Sequence, residues 1–539
     1  MSILQQNANT PLYSHPLLVG FIYAIIIRLF ICPWDFDVST DLIGFLGTDT
    51  LDTLSLRWAF WHPESHFFPI GWDATKVTPN IFDHLLFVPL LHLPFPMADN
   101  LWWLSQLWVS LVCAHMYGHC LSENQSSGWM GGVTLIVCDS LLRELNWGHA
   151  PQAMWWAPLC TLIALERWQQ THDRRWMFGS GIALGVSGWC YLYFMPFIGL
   201  ITIPIWFKKM RSAILWGLIG IITLSGNLIW LYAHTSEMLN VPTPPLINGQ
   251  TLTTIHSATV DSFWSGTPID ISNQISIIWM MAVCIGGYRL WGQQRRHFWM
   301  GTVSILLGLG LIAGTHLPFL DLFSHLPFMS RLLWPERFGI LIAIGMIVLV
   351  SSVPKARWLI PLACIEFTVR SGNLPLHTTS LEPWQCLRSL ESADQSSVLE
   401  LPLKDGDSLY NQQSLRQRFH QRPLVNPFIL PPFVQPPTKW TSIQRMPALQ
   451  AIDGELPFTT IHLSDLQAMD IGTILIDRVL LSASKQKQIR RHLSSTLGDP
   501  IDLQCAYVWP LNDQTITPNN DTSPLPYSRP IVNSTQEPL

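Results

Sequence analysis

Gly47-Thr48-Asp49-Thr50-Leu51-Asp52 follows the first strongly apolar segment of this chain of 539 residues. The polar stretch continues through Arg57 and Trp58 to His62-Pro63-Glu64 and Phe68-Pro69-Ile70-Gly71-Trp72-Asp73. Two carboxylates three residues apart share one face of a helical turn, where they can bind a divalent cation or hold one proton donor and one acceptor. The stretch is therefore either a candidate active site or an ordinary solvated loop, in which Asp is common.

The sequence around this stretch is that of a polytopic membrane protein. Hydrophobic residues make up 48% of the chain and charged residues only 12%, whereas about 25% of a typical soluble domain is charged. Nearly all the long uncharged runs lie before residue 371. With a net charge of −5 and no basic stripe, the chain lacks the electrostatic footprint of a nucleic-acid-binding protein. The indicated partner is a lipid bilayer.

Apolar segments of spanning length predict about eleven transmembrane helices in residues 1–371. They fall near residues 16–32, 99–120, 128–143, 151–167, 176–189, 191–207, 212–233, 273–291, 298–315, 337–353 and 357–370. Several of the 26 Trp residues stand where these segments begin or end, as in the aromatic belts of membrane proteins.

The basic residues of the short loops predict the orientation of these helices. By helix parity the following share one side: Arg167, Arg174, Arg175, Lys208, Lys209, Arg211, Arg289, Arg295, Arg296, Lys355 and Arg357. The positive-inside rule places that side, with the N-terminus, in the cytoplasm. The long first loop, 33–98, then faces outward, provided that its apolar part, 81–95, lies in the membrane plane instead of crossing.

The composition changes after residue 371 and predicts a small extracytoplasmic α/β domain over residues 372–512. Buried strands are expected at 398–402, 472–477 and 506–509, and a solvated helix at 484–497. Cys386 and Cys505 both lie in this domain, but the sequence leaves open whether they are close enough to pair. Residues 513–539 are rich in Pro, Asn, Ser and Thr, which predicts a disordered tail.

Two motifs near the predicted outer face also carry polar side chains. His149 stands where an outer loop enters a helix, beside Glu144 and Asn146, and there it binds a phosphate or metal or is simply a hydrogen-bonded interfacial histidine. Arg331 and Arg337 lie at an outer membrane boundary, where a guanidinium suits a lipid phosphate. The alternative is that these arginines pair with Glu336 or extend toward lipid headgroups.

Taken together, these features resemble the GT-C superfamily of polytopic membrane glycosyltransferases. In a bacterial branch of that superfamily the first loop contains Gly-Asp-x-x-Asp-x-x-Trp and then Pro-x-Gly. Here Gly47, Asp49, Asp52 and Pro69-Ile70-Gly71 match, with Thr48 inserted and the Trp displaced to Trp58. Further short resemblances are Trp147–Gln152, Leu333–Phe338 with Arg331 displaced, Leu399–Pro402 and Arg422–Asn426.

The resemblance implies an outer-face glycosyltransferase of the bacterial cytoplasmic membrane. Its donor would be a polyprenyl-phosphate-linked sugar and its acceptor a lipid, glycan or protein. Asp49 or Asp52 would be the catalytic base or a ligand of a divalent cation, with Asp49 the better match. Arg331, Arg337 and His149 would bind the substrate phosphate, with Arg57, His62 and Glu64 in support.

Other functions remain open from the sequence alone. A non-catalytic GT-C-like subunit of a membrane assembly would use the same fold as a scaffold for protein partners, and its Asp pair would be structural. A transporter of lipid-linked glycans is less favoured, because no internal repeat is detectable and few polar residues continue through the predicted spans.

Overall fold

The structure is a computed structural model that falls into two compact units. It describes residues 16–44, 49–61, 81–138, 140–149, 151–206, 209–234, 276–313, 339–353, 358–371, 374–390, 396–401, 407–425, 443, 445–452, 456–479 and 481–512. The first unit comprises Met1–Phe60, Asp73–Ser380 and Leu430–Val434. The second comprises Trp61–Trp72, Leu381–Ile429 and Gln435–Leu539.

The first unit is helical. Its first helices are α1 (Pro16–Ile26), α2 (Asp49–Trp61), α3 (Ile81–Phe87), α4 (Met97–Ser122), α5 (Gln125–Val137), α6 (Ser140–Asn146), α7 (Trp156–Thr171) and α8 (Arg174–Cys190). They are followed by α9 (Phe194–Ile201), α10 (Ile203–Trp206), α11 (Met210–His234), α12 (Ile277–Gln293), α13 (Arg295–Ala313), α14 (Gly339–Val350) and α15 (Leu359–Arg370).

The described residues of each predicted span are largely helical, but three spans are interrupted. The predicted span 151–167 begins with a 3-10 turn at Pro151–Ala153, and α7 starts only at Trp156. The predicted span 128–143 divides into α5 and α6, with Cys138 extended between them. The predicted span 191–207 divides into α9 and α10 at Thr202. Where helices cross closely, glycine allows it, because a Cβ at Gly131 of α5 would lie 2.5 Å from the carbonyl oxygen of Ala114 in α4.

The number of membrane spans is the part of the predicted fold that the structure does not establish. Among the described residues, one segment, Met210–Ile229 of α11, is both long and apolar enough to cross a bilayer. Shorter apolar helices lie at Leu17–Ile31, Ile81–Leu90, Gly339–Val350 and Leu359–Val369. Polar side chains such as Asp99 and His115 in α4 lower the hydropathy of longer helices, and a bundle interior can accommodate such residues.

Contacts at one end of the helical unit join segments that are far apart in sequence. The backbone amide of Ile43 donates to Asn100 at 3.0 Å, and that of Leu376 donates to the carbonyl of Ile31 at 2.8 Å. Glu366 of α15 accepts the backbone amide of Ile277 at the start of α12 at 2.9 Å. Helix parity predicts that all these residues lie on one side.

A second set of contacts joins the opposite helix ends. Gln170 donates to the carbonyl of Cys120 at 2.5 Å, and Lys209 donates to Gln169 at 3.2 Å. Arg296 pairs with the buried Glu166 at 3.1 Å. These contacts agree with the two groups of helix ends that parity predicts, while the number of spans and the side that faces the cytoplasm stay predictions.

A two-stranded ribbon extends the first unit beyond the predicted domain boundary at residue 371. Strand β1 (Asp41–Ile43) pairs antiparallel with β2 (Thr378–Ser380), so that Leu42 is opposite Thr379. Because β2 pairs with the first loop, the residues just after the last helix pack with the helical unit. The division between the units therefore falls between Ser380 and Leu381.

The second unit is built on a four-stranded mixed sheet. Its strands are β3 (Ser397–Leu401), β4 (Ile471–Asp477), β5 (Ile501–Asp502) and β6 (Ala506–Pro510), in the order β3-β4-β6-β5. Strands β3 and β4 are parallel and the other pairs antiparallel. Its helices are α16 (Asp407–His420), α17 (Pro447–Ile452), α18 (Thr460–Ala468) and α19 (Ala483–Leu497), with a 3-10 helix at Glu382–Leu390.

The predicted strands and the solvated helix of this unit agree closely with β3, β4, β6 and α19. Cys386 and Cys505 form a disulfide, which links the 3-10 helix to the segment before β6. The stretch 513–539, predicted to be a disordered tail, lies outside the described residues.

Two residues of the short sequence resemblances in this unit, Glu400 and Arg422, make buried polar contacts. Glu400 of β3 accepts from Arg416 of α16 at 2.8 Å, and the same guanidinium donates to Asp477 of β4 at 2.6 Å. Arg422 donates to the carbonyl of Ser396 at 2.7 Å. Since a buried charge needs a partner, Glu400 and Arg422 have a structural function in the core of this sheet.

Candidate active site

Helix α2 begins at Asp49, so both acidic positions of the first-loop motif lie in its first turn. The positive end of the helix dipole stabilises negative charge there. Positions 49 and 52 are about 60° apart around a helix axis, and therefore on the same side of α2. The described residues Thr50, Leu54 and Arg57 are buried. The sequence predicted the shared face, although it treated 33–98 chiefly as a loop.

Arg57 fixes the far end of α2 to the two elements that follow it. Its guanidinium donates to Asp99 of α4 at 2.6 Å and to Asp83 of α3 at 3.1 Å. The indole of Trp102 also donates to Asp83, at 2.8 Å. The side chains of Arg57, Asp83 and Asp99 are at most 3% exposed. We call these three residues the Arg57 clamp.

The two carboxylates of the clamp offset the cost of burying the Arg57 charge. Burial lowers the pKa of the Arg57 guanidinium, but the charges of Asp83 and Asp99 and their hydrogen bonds more than offset this, so its pKa is raised. The ring of Phe87 lies 4.4 Å from the guanidinium carbon and adds a cation–π contact. The sequence predicted a supporting function for Arg57 but did not identify these carboxylates, because nothing in their spacing marks them as partners.

The turn after α6 places His149 against Glu144. Gly148 has φ +80°, a left-handed conformation that favours glycine. The amide of Gly148 donates to the carbonyl of Leu145 at 3.2 Å, and the amide of His149 donates to that of Glu144 at 2.8 Å. This pattern is a Schellman cap. It brings Nδ1 of His149 to 2.7 Å from a carboxylate oxygen of Glu144, and both residues are buried.

One hydrogen bond brings the acidic helix and the histidine turn together. The hydroxyl of Thr53 on α2 donates to the carbonyl of Gly148 at 2.6 Å. Thr53 directly follows Asp52, and Gly148 directly precedes His149. The turn is held from its other side by Asn146, whose side-chain oxygen accepts the backbone amide of His377 at 2.9 Å. The two most distinctive motifs of the sequence are therefore adjacent.

Comparison with known proteins identifies a solved structure with a similar fold. No family model matches this chain, and no curated protein matches it in sequence. Solved structures do match, among them the cryo-EM structure of the arabinofuranosyltransferase AftD from mycobacteria, at 15% identity and a TM-score of 0.53. The fold of this chain is GT-C-like. The match covers 94% of this chain but 42% of the AftD chain, so this chain spans less than half the length of that enzyme.

The structure places only part of the predicted site within this GT-C-like fold. Asp49 and Asp52 are placed as positions of α2, and His149 and Arg57 with their partners. The predicted site residues that lie outside the described residues are His62, Glu64, Arg331 and Arg337. Their functions, like those of the two aspartates, stay predictions.

The predicted divalent cation has two candidate ligands on α2, Asp49 and Asp52. Positions 49 and 52 provide two carboxylates on one side of the helix, and carboxylate oxygens suit Mg²⁺ or Ca²⁺. Within the part of the chain that the structure describes, no group of three or more His, Cys, Asp or Glu side chains is arranged to hold a metal ion.

Proposed function

We propose that this chain is a membrane glycosyltransferase of the GT-C type. It would transfer a sugar from a polyprenyl-phosphate donor to a lipid, glycan or protein acceptor on the outer face of the bacterial cytoplasmic membrane. The observation that carries the proposal is the hydrogen bond between Thr53 and Gly148, because it sets the acidic turn of α2 beside His149. The GT-C-like fold supports the same reaction class.

In the proposed reaction a carboxylate of α2, Asp49 in our assignment, accepts the proton of the acceptor hydroxyl. The hydroxyl oxygen then attacks the anomeric carbon of the sugar. As the new bond between oxygen and carbon forms, the bond from that carbon to the phosphate oxygen breaks, and the lipid phosphate leaves with the electron pair. A single displacement of this kind inverts the anomeric configuration, which NMR of the product measures.

The leaving lipid phosphate gains negative charge during this step, and cationic donors stabilise it. In our proposal His149, Arg331 and Arg337 bind that phosphate. Arg57 has a different function, since its guanidinium is engaged by Asp83 and Asp99. It positions α2 and does not bind substrate.

The Cys386–Cys505 disulfide supports the outward orientation of the second unit. Disulfides form and persist in the bacterial periplasm and outside cells, and are rare in the cytoplasm. The name of AftD suggests the first donor to test, an arabinofuranosyl group on a polyprenyl phosphate.

The test is a transfer assay on the full chain in nanodiscs, with radiolabelled polyprenyl-phosphate sugars and a membrane extract as the source of acceptors. We expect the wild type to release polyprenyl phosphate and label an acceptor, beginning with the arabinofuranosyl donor. Asp49→Asn removes the proposed base, so transfer should fall by about 10²- to 10⁴-fold. A chelator arm with Mg²⁺ or Mn²⁺ added back tests the proposed cation.

Asp37→Asn is the matched control, because Asp37 is an exposed carboxylate of the same loop whose oxygen accepts from Ser39. That variant should keep full activity. If Asp49→Asn keeps wild-type activity and Asp52→Asn loses it, the catalytic base is Asp52. If both variants transfer sugar normally, or the wild type transfers none while its assembly with other proteins persists, the scaffold hypothesis replaces this proposal.

A further inference from the structure

The end of the helical unit opposite to the acidic helix carries a cluster of cationic side chains. Arg296 of α13 and Lys209, which directly precedes α11, both donate to the side-chain oxygen of Gln169, at 3.1 and 3.2 Å. Because they share one oxygen, the two cationic groups lie close together and repel each other. Within the described residues, one carboxylate, that of Glu166, contacts this cluster, and it is divided between Arg296 and His297. The cluster therefore keeps an excess of positive charge.

Lys209 is the cation of this cluster that can donate to a further anion. Its described contacts are both with neutral groups, the oxygen of Gln169 and the ring of Trp168, whose centroid lies 4.7 Å from Nζ. An ammonium group has three hydrogens to donate, and the described hydrogen bond uses one of them. The side chain is partly exposed, so an anion from outside the chain can reach it.

An exposed apolar stripe begins beside Lys209 and runs along α11. Arg211, in the first turn of α11, is exposed. At helical spacing after it, and therefore on the same side of the helix, lie four residues that are 49–69% exposed: Ile214, Leu218, Ile222 and Ile229. The segment Met210–Ile229 is long and apolar enough to cross a bilayer. In a membrane this stripe contacts acyl chains, and Arg211 lies at its headgroup end.

Exposed tryptophans support a headgroup position for this end of the unit. Trp176 of α8, Trp291 of α12 and Trp299 of α13 are all exposed, and the guanidinium carbon of Arg295 lies 6.0 Å from the ring centroid of Trp291. Tryptophan is enriched at the level of the headgroups, where its ring meets both the apolar and the polar layer. The basic residues of these helix ends therefore lie beside lipid headgroups.

We infer that Lys209 and Arg211 bind the headgroup of an anionic phospholipid whose acyl chains lie along the exposed stripe of α11. The two cations complement the charge of such a headgroup, whereas a zwitterionic phospholipid has no net charge to offer them. The stripe provides a surface for acyl chains, which a free phosphate does not have. The inference goes beyond the transfer reaction, because it concerns the opposite end of the unit and a lipid that is not the substrate.

The experiment uses native mass spectrometry to count the phosphatidylglycerol and phosphatidylcholine molecules that the purified full chain retains from mixed micelles. We expect the wild type to retain phosphatidylglycerol in preference. Arg211→Gln and Lys209→Gln should each lower that preference about fivefold, which is the contribution of one basic residue near an anionic headgroup. Arg211→Lys keeps the charge and should keep the preference. Retention of phosphatidylcholine, which depends on acyl-chain contacts, should not change.

Arg28→Gln is the matched control, because it removes the same charge from an exposed arginine at the other end of the unit. It should retain phosphatidylglycerol as the wild type does. The unfolding temperature of each variant in phosphatidylcholine alone shows whether it is folded. All variants are compared after insertion and purification, so a function of these residues in helix insertion alone would leave the preference for phosphatidylglycerol unchanged.

Four results would overturn the inference. The first is equal retention of the two lipids by the wild type, and the second is the same preference in Arg211→Gln as in Arg28→Gln. The third is loss of both lipids in Arg211→Gln, which would indicate a damaged helix instead of a lost headgroup contact. The fourth is displacement of phosphatidylglycerol by excess inorganic phosphate at constant ionic strength, which would show a site for any phosphate. The transfer assay is independent, so either proposal can fail without the other.

Discussion

His84 is a buried titratable residue next to the Arg57 clamp. Its ring stacks on Phe60 with centroids 4.5 Å apart, and burial lowers its pKa to about 4. An unfolded histidine has a pKa near 6.5, so below that pH the unfolded chain binds a proton that the folded chain does not. Acid must therefore destabilise the fold around His84, by about 2 kcal/mol at pH 5.

We predict that His84→Phe keeps the stacked, neutral ring and reduces this acid sensitivity. The measurement is the unfolding temperature of the full chain from pH 7 to pH 5, followed by tryptophan fluorescence. The drop in Tm should be smaller in the variant than in the wild type. His92→Gln, at an exposed histidine of the same segment, should reproduce the wild-type curve. Parallel curves for wild type and His84→Phe would mean that His84 does not titrate in this range.

The element that this site depends on is α2, which is held at two points along its length. Thr53 joins it to the histidine turn, and Arg57 joins it to α3 and α4. Removal of Arg57 leaves Asp83 and Asp99 buried without their common cation. Breaking a buried ion pair from one side costs about 3–5 kcal/mol, whereas a single neutral hydrogen bond contributes about 1 kcal/mol.

We predict that Arg57→Met loosens α2 far more than Thr53→Val does. Hydrogen exchange of the α2 peptide in the full chain should accelerate strongly in Arg57→Met and slightly in Thr53→Val, while α7 keeps its protection. Transfer should fall in both variants, because a displaced base loses its alignment with the acceptor. Arg28→Met, at an exposed arginine that donates to two backbone carbonyls, should leave α2 unchanged. Equal exchange in Arg57→Met and Arg28→Met would show that the clamp does not hold the helix.

The elements also show how far the sequence can predict this molecule. Helix positions follow from long apolar runs, a local property, and the strands β3, β4 and β6 follow from short apolar runs. The division of one predicted span at Cys138 was not predicted, although the second half, α6, contains Arg143, Glu144 and Asn146 and is more polar than α5. The clamp and the β1–β2 ribbon were missed as well. Both depend on which distant segments meet, and Leu42 pairs with Thr379 from the far end of the unit.

In the candidate site, too, the sequence predicts the short-range features and misses the long-range contact. The shared face of Asp49 and Asp52 and the closeness of His149 to Glu144 are short-range, and the sequence contained both. The contact that unites them, Thr53 with Gly148, joins residues 95 apart. Single-sequence reasoning has no signal for such a pair, since a hydroxyl and a backbone carbonyl are ordinary groups.

At the scale of the whole molecule, two independent features support one orientation. The basic residues gather at one end of the helical unit, where Lys209 and Arg296 contact the α7 residues Gln169 and Glu166, and basic loops stay in the cytoplasm. The second unit carries a disulfide, and disulfides form and persist in oxidising compartments. The two arguments are separate, because one concerns insertion of helices and the other concerns redox chemistry after folding.

We predict that Asp465→Cys, in the second unit, reacts with a membrane-impermeant maleimide in intact spheroplasts, while His172→Cys, between α7 and α8, reacts only after lysis. Both positions are exposed. The background carries Cys284→Ser, which removes the exposed native thiol. Labelling of His172→Cys alone would mean that the orientation in the membrane is the opposite one, with the second unit in the cytoplasm. Labelling of both would break helix parity between residues 172 and 465, and the predicted span 191–207, which is divided at Thr202, would then be the first to re-examine.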